Sequence, residues 1–212
     1  MKKALLFING NPPEKLPDLE KYELIDCTDG AFHYLKKLDF PIEKLNFISG
    51  DFDSHNKKEI LQQAQNHDFE LIETPDQDKT DFHKALEILL EKGFKKIDIF
   101  GGSGGEMDHF LGNITVAFLF KDKLEITFYD EFSAYFFSPK ELVLDNIKGK
   151  MISLYPFPTA KNIITKGLNW ELKNEDLSQT GRIGTRNFAR EDKVIIRYEK
   201  GDLLIFVGEK YL

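Results

Sequence analysis

The chain has 212 residues, of which 41% are hydrophobic and 13% aromatic, and its 19 phenylalanines argue against a disordered protein. Its net charge of −7 argues against a nucleic-acid-binding protein, because such proteins usually present a basic patch. Cys27 is the sole cysteine, so no intramolecular disulfide can form, which fits a reducing compartment.

The first residues, Met1–Ile8, begin with two lysines, as secretory signal peptides do. The apolar stretch ends at Asn9-Gly10, which is too short for the hydrophobic region of a signal peptide, and a first β-strand is expected instead. No apolar run has the length of a membrane span. We therefore expect a cytoplasmic protein that binds neither membranes nor nucleic acids.

Up to about Asp130, short apolar runs alternate with helical patterns. The predicted strands are Ala4–Ile8, Glu23–Asp26, Leu45–Ser49, Phe69–Ile72, Lys96–Phe100 and Glu125–Tyr129. The predicted helices are Ala31–Leu38, Asn56–Asn66, Thr80–Lys92 and Asp108–Phe120, the last of them apolar almost all round and therefore expected to be deeply buried. This alternation is typical of an α/β fold with a mostly parallel sheet and flanking helices.

After Asp130 the pattern changes to short strands separated by turn residues. The predicted strands are Ala134–Ser138, Glu141–Leu144, Met151–Pro156, Ile163–Thr165, Lys193–Tyr198 and Asp202–Val207. The turn at Glu199–Asp202 predicts that the last two pair as a β-hairpin. We expect an α/β domain over residues 1–131 and a small antiparallel sandwich or barrel over residues 132–212.

Three acidic or glycine-rich segments each follow a predicted strand: Gly50–Ser54, Asp76–Asp81 and Gly101–His109. Open α/β sheets bind their ligands at the carboxyl ends of the strands. Asp51 and Asp53 point the same way from an extended segment, and paired carboxylates suit magnesium, although loop or helix-capping roles would explain them equally well in isolation. These segments predict one magnesium and phosphate site.

The second segment adds an acid and a base at the start of a helix. Thr80 is the expected N-cap, and Asp81 and Lys84 share a helix face, so a carboxylate could reach a metal ion and an ammonium a phosphate. The alternative is an ordinary ion pair between these two residues. The third segment is a glycine-rich turn that lacks the spacing of a P-loop or of a dinucleotide-binding motif.

In order and spacing, the motifs Thr28–Ala31, Gly50–Ser54, Pro75–Phe82 and Gly101–Asn113 resemble those of thiamine pyrophosphokinase, and the resemblance covers nearly the whole chain. It implies a homodimeric enzyme that uses ATP and Mg²⁺, with a catalytic α/β domain over residues 1–131 that binds ATP and Mg²⁺. It also implies a β-sandwich domain over residues 132–212 for thiamine binding and dimerisation. The implied reaction transfers diphosphate from ATP to the hydroxyl of thiamine, giving thiamine diphosphate and AMP.

The resemblance also implies roles for individual residues of the first domain. Asp51, Asp53 and Asp81 look like the catalytic, magnesium-binding carboxylates, and Asp29 resembles an active-site acid. The residues that resemble the ATP-binding positions are Gly102, Lys84, Asp108, His109 and Asn113.

Three further residues resemble substrate-binding positions of the family. Gln77 looks like a substrate contact, Trp170 resembles an aromatic residue that stacks on thiamine from the partner subunit, and Asn187 lies in a thiamine-side segment.

Departures from the family pattern keep two alternatives open. Ala31 stands in place of a glycine, Glu106-Met107 where an arginine is usual, and Arg186 where a serine is usual. One alternative is a related pyrophosphokinase that acts on another heterocyclic alcohol, such as a hydroxymethylpterin. The other is a non-catalytic thiamine- or nucleotide-binding protein.

Overall fold

The computed structural model describes residues 2–52 and 57–210. It divides into two compact units, Met1–Glu131 and Phe132–Leu212. Among the described residues, no helix is long and apolar enough to span a membrane.

The first unit contains a parallel sheet with the strand order β4-β3-β2-β1-β5-β6. Its strands are β1 (Lys3–Phe7), β2 (Leu24–Thr28), β3 (Phe47–Gly50), β4 (Glu70–Glu73), β5 (Lys96–Phe100) and β6 (Glu125–Tyr129). Its helices are α1 (Asp29–Lys37), α2 (Lys57–Asn66), α3 (Asp81–Glu91) and α4 (Met107–Phe120). The predicted parallel sheet with flanking helices is confirmed.

The inner strands β1, β2 and β3 are almost entirely buried, as is typical of parallel strands that helices cover. One cluster of buried side chains fills the space between the sheet and α1, and it includes Leu5, Phe7, Ile25, Cys27, Phe32, Leu35 and Ile48. Cys27 is completely buried there. The strands β1, β2, β3 and β5 are parallel, so the loops that follow them meet at one edge of the sheet.

The sequence predicted the N-cap of α3 correctly but not the exposure of α4. Thr80 caps α3 as predicted, because its Oγ1 accepts a hydrogen bond of 3.2 Å from the amide of His83. The expectation that α4 is buried on all sides is wrong: Met107, Leu111 and Leu119 are at least 60% exposed in the single chain. Only one side of α4 packs inward, so its outward-facing apolar residues remain at the surface.

The second unit is antiparallel throughout its described strands, as predicted. These strands are β7 (Ser133–Phe137), β8 (Glu141–Leu144), β9 (Lys150–Lys166), β10 (Lys173–Ser178), β11 (Gly184–Phe188), β12 (Val194–Arg197) and β13 (Lys200–Lys210). The long strand β9 pairs with β10, β11, β12 and β13 and so organises the unit.

Parts of this unit differ from the sequence prediction. The segments predicted as two strands around Met151–Pro156 and Ile163–Thr165 form the single strand β9. The predicted hairpin is wrong, since β12 pairs with β8 and β9, whereas β13 pairs with β7 and β9. The reason is that Gly201, expected in the turn, already belongs to β13 and pairs with Ala160 of β9.

Candidate active site

A cavity of about 500 Å³ opens at the carboxyl ends of the parallel strands in the first unit. Its walls come from the loops after β1, β2, β3 and β5 and from the first turns of α3 and α4. The residues that line it include Asn9, Gly10, Asp29, Asp51, Asp81, Gly102, Glu106, Asp108, His109 and Asn113.

Asp29, the first residue of α1, is almost completely buried, and both of its carboxylate oxygens accept hydrogen bonds from backbone amides. Oδ1 accepts from the amide of Gly30 at 2.6 Å, and Oδ2 accepts from the amide of Phe52 at 3.0 Å. Gly50 permits this approach, because a Cβ atom there would lie 2.6 Å and 2.8 Å from the two oxygens. Asp29 therefore fixes the backbone of the loop that follows β3.

Asp51 lies in that loop and lines the cavity. Its Oδ2 accepts a hydrogen bond of 3.2 Å from the Nε2 of Gln77, a side chain that comes from the loop between β4 and α3. Gln77 is exposed, so it can contact both Asp51 and a ligand. Asp53, predicted to share the metal site, lies outside the described residues.

Asp81 is the first residue of α3 and also lines the cavity. Its Oδ1 lies 2.8 Å from the Nζ of Lys84, so the ion pair considered from the sequence is formed. The Nζ of Lys84 also donates to the carbonyl oxygens of Thr74 and Asp76, at 2.8 Å and 3.2 Å. Lys84 is buried and is not among the described residues that line the cavity.

The carboxylates of Asp81 and Asp51 lie close enough to Asp29 to act on its charge. Burial raises the pKa of Asp29, the negative charges of Asp81 and Asp51 raise it further, and the amides of Gly30 and Phe52 oppose the rise. Carboxylates that repel one another in a cavity lined by oxygen donors fit a hard divalent cation, because its charge would remove the repulsion. The residues present therefore suit Mg²⁺.

The glycine-rich turn after β5 forms another wall. Gly101 has φ +76°, a conformation that favours glycine, and the carbonyl of Gly102 accepts a hydrogen bond of 3.0 Å from the Nδ2 of Asn113. Asp108 and His109 are exposed at the start of α4, where the Oδ1 of Asp108 accepts from the amide of His109 at 2.9 Å. Their exposed side chains are accessible to a ligand.

Glu106 stands next to this pair, with its Oε2 at 3.5 Å from the Nε2 of His109. The departure from the family pattern noted in the sequence therefore places a carboxylate, and not a cation, at this side of the cavity.

The loop after β1 was missed as part of the site. Asn9 and Gly10 line the cavity, and the amide of Asn11 donates to the carbonyl of Ser103 at 2.8 Å, which ties this loop to the glycine-rich turn. A signal was present, since Asn9-Gly10 follows a buried strand in the same way as the three recognised segments do.

The second unit has its own cavity, of about 930 Å³. Trp170 lines it with 58% of its surface exposed, and its ring meets Phe188 edge to face at 5.7 Å between centroids. Other residues that line this cavity are Asn169, Glu171, Arg182, Ile183, Asn187 and Arg190. The lining carries both acidic and basic side chains, so the exposed indole is the group that suits a flat cationic ligand.

Asn187 holds the backbone of Trp170. Its Oδ1 accepts from the amide of Trp170 at 3.2 Å and its Nδ2 donates to the carbonyl at 2.8 Å. The amide of Phe188 also donates to this Oδ1, at 2.9 Å. Arg186, at the position where the family usually has serine, is exposed and has φ +56°. Asn187 thus fixes the backbone of Trp170, the residue predicted to bind thiamine.

Fold and cavity together define an α/β protein with an acidic ligand site at the carboxyl ends of its parallel strands, followed by an antiparallel β unit. The family model described as "Thiamin pyrophosphokinase, catalytic domain" matches residues 18–128. A second model, "Thiamin pyrophosphokinase, vitamin B1 binding domain", matches residues 139–203. The chain belongs to the thiamine pyrophosphokinase family, as its motifs predicted.

Relatives match along nearly the whole chain. Thiamine pyrophosphokinase 3 of Oryza sativa subsp. japonica is 30% identical over 96% of this chain and 85% of its own length. Thiamine pyrophosphokinase 1 of the same plant is 32% identical over 91% of this chain and 82% of its own length. The crystal structure of thiamine pyrophosphokinase from Bacillus subtilis has the same fold, with a TM-score of 0.81 and 23% identity, covering 99% of this chain and 100% of that one.

Proposed function

We propose that the protein transfers a diphosphate group from ATP to the hydroxyl of thiamine, giving thiamine diphosphate and AMP. Membership of the family supports this reaction. The observation that carries the proposal is that Asp29, Asp51 and Asp81 lie around one cavity, where their charges interact.

In this reaction the thiamine hydroxyl oxygen attacks the β-phosphorus of ATP in line. The new O–P bond forms as the bond between the β-phosphorus and the oxygen bridging to the α-phosphorus breaks, and AMP leaves with that oxygen. The hydroxyl proton passes to one of the cavity carboxylates. Transfer of this kind asks little covalent chemistry of the protein, so positioning and charge neutralisation dominate.

Asp51 and Asp81, together with Asp53, are the residues that would hold magnesium. The bound ion would supply positive charge to the phosphate oxygens, typically worth several kcal/mol of transition-state stabilisation. Asp29 keeps the backbone around Asp51 in place, and Gln77 holds one oxygen of Asp51. The amides at the starts of α3 and α4 add positive potential for an anionic ligand.

On the nucleotide side, the proposal uses the glycine-rich turn. Gly102, Asp108, His109 and Asn113 line the cavity and are the proposed ATP contacts. The carbonyl of Gly102 accepts a hydrogen bond from the side chain of Asn113, which ties the glycine-rich turn to α4.

Thiamine is proposed to stack on Trp170, with Asn187 fixing the loop that carries the indole. Stacking with cation–π attraction is worth about 0.5–2 kcal/mol. We also propose a cytoplasmic homodimer in which this indole serves the partner's site; the resemblance of Trp170 to the family's stacking residue and its exposed ring support this arrangement.

The family match does not favour the alternatives of another pyrophosphokinase or of a non-catalytic binding protein. The test is incubation of the protein with thiamine, ATP and Mg²⁺, followed by chromatography. Equal amounts of AMP and thiamine diphosphate are expected. Formation of ADP in place of AMP, or turnover only with a hydroxymethylpterin, would contradict the proposal.

A further inference from the structure

We propose that Lys84 is a positioning residue that fixes Asp81 and the segment 74–78, and that it does not bind the phosphates of ATP. The inference rests on the proposed function and replaces the role that the sequence suggested for this lysine.

Three acceptors surround the ammonium group of Lys84. They are the Oδ1 of Asp81 at 2.8 Å and the carbonyl oxygens of Thr74 and Asp76 at 2.8 Å and 3.2 Å. An ammonium group has three N–H donors, so each of its protons already has an acceptor. A phosphate could be bound only by giving up one of these hydrogen bonds.

Burial makes such an exchange unfavourable. Lys84 is only 5% exposed, and its ammonium group contacts the backbone of the segment that it holds. A carbonyl that lost the ammonium would remain in a partly buried place without its donor, and an unsatisfied buried polar group is destabilising. The geometry therefore favours a fixed ammonium over one that moves to a substrate.

The lysine joins two parts of the chain that carry active-site groups. Asp81 begins α3, whereas Thr74 and Asp76 belong to the loop after β4. The next residue of that loop is Gln77, which holds the Oδ2 of Asp51 at 3.2 Å. Lys84 thus determines where the carboxylate of Asp81 and the amide of Gln77 lie relative to each other.

Lys84→Met tests this role, because methionine is unbranched and apolar and can occupy the buried site. Hydrogen exchange of the amides in 74–78 reports the position of the loop without reference to turnover. Calorimetry with a non-hydrolysable ATP analogue and Mg²⁺ reports phosphate binding. We expect exchange in 74–78 to become at least tenfold faster, while affinity for the analogue changes by less than tenfold and kcat falls.

Lys44→Met is the matched control. The Nζ of Lys44 pairs with the exposed carboxylate of Glu20 at 2.8 Å, and among the described residues it makes no ion pair or hydrogen bond with the segment 74–78. It removes the same charge and should leave exchange and affinity unchanged. Should Lys84→Met fail to fold, Lys84→Arg is measured in the same way, since a planar guanidinium cannot reproduce three converging ammonium hydrogen bonds.

Unchanged exchange in 74–78, or a tenfold or greater loss of affinity for the analogue, would overturn the proposal. The exchange experiment also separates the two hypotheses. If the wild-type protein makes no thiamine diphosphate, the proposed function fails, yet the exchange difference between the two lysine variants still decides what Lys84 does.

Discussion

The carboxylate of Asp29 accepts a hydrogen bond of 3.0 Å from the backbone amide of Phe52, 23 positions later in the chain. Phe52 has φ +52°, a conformation that costs a residue with a Cβ atom about 1–2 kcal/mol. The hydrogen bond and the burial of the phenyl ring hold this backbone in place. The position of Asp51 is therefore set by an acid from the preceding βα connection.

Gly50→Ala tests this arrangement. The added methyl group would lie 2.6 Å from the Oδ2 of Asp29, so the loop must move, and a displacement of about 1 Å can cost about 100-fold in rate. We expect a fall of that order in kcat/KM. Gly93→Ala is the comparison, because it has a positive φ but no atom within 4 Å of the added methyl. It should lose about 1 kcal/mol of stability and keep its activity. Equal activity of both variants would contradict the close-packing argument.

Asp51→Asn and Asp81→Asn should each lower the rate of AMP formation by more than about 100-fold, because each removes a charge expected to hold the metal ion. The measurement is AMP release at saturating thiamine, with circular dichroism to check folding. Asp122→Asn is the control, since its side chain is 86% exposed and pairs with Lys121 at the end of α4. Activity within a few-fold of wild type for Asp51→Asn would remove that residue from the site.

Trp170→Ala should raise the KM for thiamine by roughly 2- to 30-fold, which corresponds to the energy of cation–π stacking, and should leave the KM for ATP nearly unchanged. Asn187→Ala should have the same selective effect, because its side chain holds the backbone of Trp170 on both sides. Steady-state kinetics, with thiamine and ATP varied in turn, measures both KM values. An equal rise in both KM values would argue against stacking of thiamine on this indole.

Mixing Asp51→Asn with Trp170→Ala, which should be impaired at low thiamine concentration, tests whether the active site is shared between subunits. If Asp51 and Trp170 of one site come from different chains, a mixed dimer of Asp51→Asn and Trp170→Ala keeps one intact site. In an assay with thiamine far below its KM, random exchange of subunits should then raise the activity of the mixture by up to about a quarter of wild type. The measurement requires subunit exchange under mild denaturant followed by an assay. No recovery despite proven exchange would place both residues of a site in one chain.

Asp26→Asn should make stability less dependent on pH. Burial raises the pKa of Asp26 well above its ordinary value, and the backbone of Cys27 and the charge of Lys92 offset this only in part. The folded state therefore binds this proton more tightly than the unfolded state, and Asp26 lowers the stability of the wild type as pH rises above its ordinary pKa. The advantage of the variant over the wild type should grow by up to about 1.4 kcal/mol per pH unit.

Urea unfolding at pH 5, 7 and 9 measures this difference. The contrasting variant is Asp98→Asn, which removes a buried acid that Lys3 and Tyr22 contact at 2.6 Å and 2.7 Å. It should destabilise the protein wherever that pair is charged, because it leaves Lys3 without its partner. A gap between wild type and Asp26→Asn that stays constant with pH would contradict a raised pKa.

The sequence predicted the first unit better than the second. Apolar strands alternate there with helices, and the ends of β5 and β6 agree with prediction to the residue. In the second unit, β10 (Lys173–Ser178) was missed because it is mostly polar and lacks alternation. Two prolines and the polar pair Lys161-Asn162 interrupt the apolar pattern of β9, although pairing with four other strands keeps it continuous. Strand pairing between segments that are distant in the chain leaves no local signal in the sequence.

The candidate site was also predicted only in part. The positions of Asp51 and Asp81 at strand and helix ends followed from the pattern, and so did the ion pair between Asp81 and Lys84. The bonds from Lys84 to the carbonyls of Thr74 and Asp76 could not be predicted, because they depend on how the loop after β4 folds back. The hydrogen bond from the Phe52 amide to Asp29 could not be predicted either, because it depends on the conformation of the loop and not on residue type.

The buried thiol of Cys27 provides an intrinsic probe of how the first unit opens. The chain has no second cysteine, and burial, followed by the charges of Asp26 and Asp29, raises the pKa of this thiol. A thiol reagent such as a maleimide can therefore label the native protein only when the sheet beneath α1 separates from its helix. The labelling rate, followed with and without nucleotide, would measure how strongly ligand binding at the strand ends suppresses that opening, without any engineered tag or dye.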